Sequence, residues 1–167
     1  IPLTLKNRKA DTSSIVRLTN LRVLELVRMP ITQCPVDDII MCDMLLQLTK
    51  LEALSLRGFR RIGTGTMMAI TQLPRIRWLR LDRMQSEALS ALRYSSSLRT
   101  LEVSLAPNSI VSRCINDIGL LTQLKLLYIV PMVNVTDEIY NKLSTVLSET
   151  CLISHESDMP LAPFERS

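Results

Sequence analysis

Leu18-Thr-Asn-Leu21-Arg-Val-Leu24-Glu-Leu26 returns as Leu48-Thr-Lys-Leu51-Glu-Ala-Leu54-Ser-Leu56, and again as Leu73-Pro-Arg-Ile76-Arg-Trp-Leu79-Arg-Leu81. A fourth copy, Ser95-Ser-Ser-Leu98-Arg-Thr-Leu101-Glu-Val103, loses its first leucine, and a fifth, Leu121-Thr-Gln-Leu124-Lys-Leu-Leu127-Tyr-Ile129, restores it. With Leu21, Leu51, Ile76, Leu98 and Leu124 as markers, successive copies lie 30, 25, 22 and 26 residues apart. A period in the range of roughly 20 to 50 residues means stacked units, each too small to bury its apolar face without a neighbour.

Working outward, Leu3-Thr-Leu5 lies 21 residues before Leu24-Glu-Leu26 and reads as the second half of an earlier unit. The expectation is an N-terminal truncation, with a further repeat or an upstream domain missing. Cys151-Leu152-Ile153 is a candidate for a last degenerate strand. Between the copies the apolar period changes from 2 to about 3.6, the mark of strand alternating with helix. After Pro35, the residues Val36, Ile39, Ile40, Met44, Leu45 and Leu48 form the expected core face of a helix of about 12 residues, with Asp37 and Asp38 suited to its first turn. Further helical stretches are expected over 66–73, 86–93, 109–121 and 137–147. A strand, a helix and a return to a parallel strand, repeated at short period, stack into a curved solenoid. The fold class expected is α/β: a horseshoe with parallel strands on the concave face and helices on the convex face, spanning 1–153 and followed by a polar tail over 154–167.

These residues resemble the leucine-rich-repeat superfamily, most clearly over 16–130. The family pattern closes LxxLxLxx with Asn or Cys, whose side chain satisfies backbone groups in the turn; here that position holds Met29, Phe59, Met84, Ala106 and Met132. The turns must then be satisfied by backbone or water. Irregular repeats of this kind are similar to those of F-box substrate receptors and of plant nucleotide-binding disease-resistance proteins. The phrasing of Leu18–Leu26 and of Asp117-Ile-Gly-Leu-Leu-Thr-Gln-Leu124 resembles the resistance-protein style. The resemblance implies a recognition arm of a larger regulatory protein, whose F-box helices or GxxxxGK[ST] loop lie outside this chain.

Composition narrows the other classes. The 167 residues predict one domain, and aromatics at 4% starve any stacked-base surface. The longest apolar run, Leu126–Val133, is interrupted by Pro131 and falls far short of the about 20 residues a membrane span needs. Cys34, Cys42, Cys114 and Cys151 have neither zinc-site spacing nor the density of a disulfide framework, so reduced thiols and a cytoplasmic location are expected. His155, the single histidine, sits among tail acids and offers no triad, Cys/His pair or metal site. Gly63-Thr-Gly65 has no lysine in reach and reads as a turn; Asp37-Asp38 and Asp137-Glu138 read as helix caps. Asn134-Val-Thr136 matches a glycosylation acceptor without a signal peptide beside it. No catalytic residue, cofactor or metal is expected.

Strand side chains alternate between faces, so the residues between the repeat leucines are expected on the concave surface in rows. The first row is Val23, Ala53, Trp78, Thr100 and Leu126; the second is Glu25, Ser55, Arg80, Glu102 and Tyr128; the third is Val27, Arg57, Asp82, Ser104 and Val130. Trp, Tyr and Arg dominate binding hot spots, which selects Trp78, Arg80, Asp82, Arg83, Arg57, Glu102 and Tyr128 as the candidate protein-binding patch. Leu126, Tyr128 and Val130 make an apolar strand that calls for a cover. Residues 57–83 carry seven arginines against Asp82 alone, a basic band fit for an acidic protein surface. Nucleic acid is the lesser alternative, since no recognised motif accompanies the band. A structural subunit of a large assembly is the alternative to a recognition module.

Overall fold

A computed structural model describes residues 3–6, 15, 17–27, 38–59, 62–84, 86–105, 111–130, 136–147, 151–153 and 163. Seven strands, β1 Leu3–Lys6, β2 Val23–Val27, β3 Ala53–Arg57, β4 Trp78–Met84, β5 Thr100–Leu105, β6 Leu126–Val130 and β7 Cys151–Ile153, form one parallel sheet in sequence order. Between them run α1 Asp38–Gln47, α2 Thr64–Thr71, a 3-10 helix Ser86–Tyr94, α3 Val111–Gly119 and α4 Asp137–Val146. The half-repeat Leu3-Thr-Leu5 and the degenerate Cys151-Leu152-Ile153 are both strands: Leu3 pairs with Leu24, and Tyr128 with Ile153. The tail over 154–167 lies outside the described residues apart from Pro163.

Each repeat is built on the same hydrogen bonds. The last buried apolar residue of the helical segment, Ile15, Leu45, Ile70, Leu92 or Ile118, accepts from the residue three positions on, the first of the repeat. The carbonyl of that residue then accepts from the marker: Leu21 N to Leu18 O at 2.8 Å, Leu51 N to Leu48 O at 2.9 Å, Ile76 N to Leu73 O at 3.4 Å and Leu124 N to Leu121 O at 3.1 Å. The fourth copy lacks the leucine and solves the turn differently, for the buried Ser95 hydroxyl accepts from Leu98 N at 3.3 Å. A lost leucine is thus replaced by a side-chain acceptor, which keeps a buried N–H paired. At the start of β2, β3, β4 and β5 one carbonyl takes two donors from the next repeat; Glu52 O, for example, accepts from Arg77 N at 2.8 Å and Trp78 N at 3.1 Å.

The core lies between one face of the sheet and the helices. Leu24, Leu54, Leu79 and Leu101 are fully buried there, together with Leu45, Ile70, Leu92 and Ile118 from the helical side. Burial of each such side chain stabilises the fold by about 1.5 to 3 kcal/mol. The step from Ile76 to Leu98 is the shortest, 22 residues, and it is the one bridged by a 3-10 helix. That helix rises about 2.0 Å per residue against about 1.5 Å for an α-helix, so it covers the crossover with fewer residues.

α1 corrects the expected helical face. Met41, Met44, Leu45 and Leu48 are buried, whereas Ile39 and Ile40 are 65% and 45% exposed. The helix is set in rotation by Asp38, whose carboxylate serves not its own helix but the next one. It accepts from Gly63 N, Gly65 N and Thr66 N, each at 3.1 Å, and from the Thr66 hydroxyl at 2.5 Å. Residues three and seven positions after Asp38, Met41 and Leu45, then share its side of the helix. The Gly63-Thr-Gly65 segment, expected as a turn, is the start of α2 and cradles this carboxylate. A Cβ on Gly63 would sit 2.5 Å from Asp38 Oδ2 and one on Gly65 2.6 Å from it, so a larger residue at either position must displace this carboxylate. At α4 the cap is Thr136, which accepts from Ile139 N at 3.4 Å, while Asp137 and Glu138 occupy the first turn.

Candidate functional site

The face of the sheet opposite the helices carries the expected rows. The ladder sets Val23 beside Ala53, Ala53 beside Trp78, Trp78 beside Thr100 and Thr100 beside Leu126. Glu25, Ser55, Arg80, Glu102 and Tyr128 line up in the same way. Neighbouring members of a row are therefore about 4.8 Å apart at the backbone. The third row breaks at β4, where the register shifts between Leu81 and Met84. Asp82 consequently turns to the preceding loop, and its Oδ2 accepts from Gly58 N at 3.1 Å. Gly58 has φ 75°, the left-handed conformation that suits glycine at a turn. Asp82 thereby satisfies a backbone donor in the turn after β3.

Trp78 is half-buried and, with Val23, packs over Ala53, which is 1% exposed. The small residue is shadowed by its larger neighbours on adjacent strands. Trp78 Nε1 is buried and has no hydrogen-bond partner among the described residues, an arrangement that costs about 1 to 3 kcal/mol when a donor is left without water.

In the second row Arg80 Nε donates to Glu102 Oε2 at 2.6 Å, with both side chains 15% exposed. Glu25 holds Arg57 at 3.7 Å and receives a long 3.5 Å bond from the fully buried Ser55 hydroxyl. Tyr128 is 7% exposed, and β7 pairs along the far side of its strand, so the apolar β6 has a further strand as its neighbour. The structure thus brings Trp78, Arg80, Glu102 and Tyr128 onto neighbouring strands, places Arg57 at the end of β3 and turns Asp82 to the loop. Arg83 lies on β4 with its side chain outside the described residues.

Among the described residues the arginines of the basic band lie on two different surfaces. Arg57 and Arg80 face acids on the sheet, whereas Arg75 and Arg77 are exposed at the edge where the strands begin. Arg60 and Arg61 lie outside the described residues. Sequence reading passed over Arg99, which joins Arg75 and Arg77 at that edge; its position one residue after a repeat marker, as with Arg77, was the available signal.

Cys42 is a half-buried free thiol, pushed above its ordinary value by burial and by the nearby charges of Asp43 and Asp38. It stays protonated at neutral pH, which suits a structural thiol rather than a nucleophile. Cys34 and the side chains of Cys114 and Cys151 lie outside the described residues. Among the described residues no helix is long and apolar enough to cross a membrane. The chain matches no protein-family model and no curated protein.

Proposed function

We propose that this chain is an irregular leucine-rich-repeat solenoid, a horseshoe with its strands concave, that acts as a non-catalytic protein-interaction module. The reading makes it the recognition part of a larger cytoplasmic regulatory protein, of resistance-sensor or F-box-receptor type. The observation that carries it is the register: residues from equivalent repeat positions stand side by side on the sheet face opposite the described helices, with Trp78 at its centre. Side chains held this way lose little freedom on binding, which favours an extended partner touching several strands. The unpartnered Trp78 Nε1 adds a donor for which a partner's carbonyl is the natural complement once the ring shifts.

The test is capture from native extract by wild type and by Trp78→Ala, with melting curves to show that both fold. A hot-spot loss of about 2 kcal/mol lowers affinity roughly 30-fold. Because the chain has one tryptophan, its emission reports the same face, and a captured partner is expected to shift it. Equal capture by both proteins with unchanged emission would overturn the reading.

A second reading, a structural subunit, is favoured by one observation. Ile39, Ile40 and Leu46 on α1 and Met68 on α2 are exposed on neighbouring helices. Concentration-dependent self-association abolished by Ile39→Ser with Ile40→Ser would support it.

A further inference from the structure

At the edge where the strands begin, the residue after each marker is Arg22, Glu52, Arg77, Arg99 or Lys125. The doubly accepting carbonyls of Arg22, Glu52, Arg77 and Arg99 hold this edge rigid. A cleft of about 650 Å³ opens there, lined by Glu52, Pro74, Arg75, Arg77, Ser97 and Arg99. Its size falls within the about 300 to 1,000 Å³ of ordinary ligand sites.

Three guanidinium groups share this cleft, and the described residues give none of them a carboxylate partner. The one acid in the lining, Glu52, is drawn to Arg22 at 3.7 Å. Arg99 is anchored, since its Nη1 donates to Ser96 O at 2.9 Å and Leu98 O at 2.8 Å. The Ser97 hydroxyl is already committed to Leu73 O at 3.1 Å, so the cleft's free donors are the arginines. Like charges held together without a counter-charge favour an anion, and the guanidinium fork matches a carboxylate in plane and spacing.

We propose that this cleft docks an acidic segment of a protein partner, seating its Asp or Glu carboxylates among Arg75, Arg77 and Arg99. The inference rests on the protein-binding reading above and adds the chemistry of the partner. A single-stranded nucleic acid fits less well. The lining has no aromatic on which a base could stack, and Glu52 interrupts the positive wall along which a phosphate chain would run.

The experiment measures binding of a fluorescent peptide of alternating Glu and Gly to the full chain, beside a Gln/Gly peptide and a single-stranded oligonucleotide. Wild type is expected to bind the Glu peptide, with affinity falling as salt rises. Arg77→Gln with Arg99→Gln is expected to weaken it about tenfold or more, whereas Lys142→Gln, far along on α4, leaves it unchanged. Arg77→Glu with Arg99→Glu is expected to bind a Lys/Gly peptide instead, which separates lost charge from lost folding. Equal binding of the Gln peptide, indifference to the arginine variants, or displacement of the peptide by tighter oligonucleotide binding would overturn the proposal. Failure here while Trp78→Ala still abolishes partner capture removes the cleft alone; peptide binding with Trp78 immaterial removes the sheet-face reading alone.

Discussion

Arg80 and Glu102 are 22 residues apart in sequence, yet they form the tightest ion pair of the described residues. A partly buried pair is costly to break from one side, because the remaining charge is left in a poor solvent. Arg80→Ala is expected to destabilise the chain by about 2 kcal/mol and Arg80→Met with Glu102→Leu by much less, as read from urea unfolding. Asp117 gives the opposite sign. Burial raises its pKa above the ordinary value of 3.8, with Arg93 pulling it partly back. The native state then holds more protons than the unfolded one between the two values, so this group's contribution falls as pH rises through that window. Asp117→Asn is expected to raise the melting temperature at neutral pH, and the gain is expected to shrink as pH drops through that window and to be lost below 3.8. Trp78 and Arg80 were legible as neighbours on one face because strand side chains alternate. The row also set Arg80 beside Glu102, but that the two side chains meet at 2.6 Å came from the structure, as opposite charges in one row need not take facing rotamers.

At the scale of the element, the decisive contact is the Asp38 carboxylate at the start of α2. It satisfies three backbone donors and one hydroxyl, so Asp38→Ala is expected to cost about 2 kcal/mol. Gly63→Ala places a methyl against the same carboxylate. The double variant is therefore expected to cost clearly less than the two single losses together, which a double-mutant cycle on urea midpoints measures. Sequence periodicity set Ile39 and Ile40 on one face with Met44 and Leu45, whereas the structure buries Met41, Met44 and Leu45 and leaves the two isoleucines exposed. The Asp38 carboxylate, bonded to Thr66 and its glycine-rich approach, faces α2 and carries Met41 and Leu45 to the same side. Likewise a helix was legible over 86–93, but its 3-10 form came from the short repeat it must span.

Across the whole molecule, five clear copies and two degenerate ones give seven strands whose neighbours in space are their neighbours in sequence. Among the described residues every internal strand is flanked on both sides, while β1 and β7 have one paired neighbour each. Amide exchange is therefore expected to be slowest at Leu54, Leu79 and Leu101 and faster along β1 and β7. Leu79→Ala, in the middle of the sheet and fully buried, is expected to cost about 3 kcal/mol in urea unfolding. By itself the sequence determined where the strands lie and how they pair, even for Leu3 with Leu24, because leucines at fixed spacing permit only one register that buries them all. Tertiary structure alone decided the rotation of α1, the break in the third row at Asp82, the Arg80–Glu102 pair and the cleft among Arg75, Arg77 and Arg99. Each of these depends on groups some 20 to 30 residues apart meeting within a few ångströms, a distance set by strand spacing and crossover length rather than by any local period.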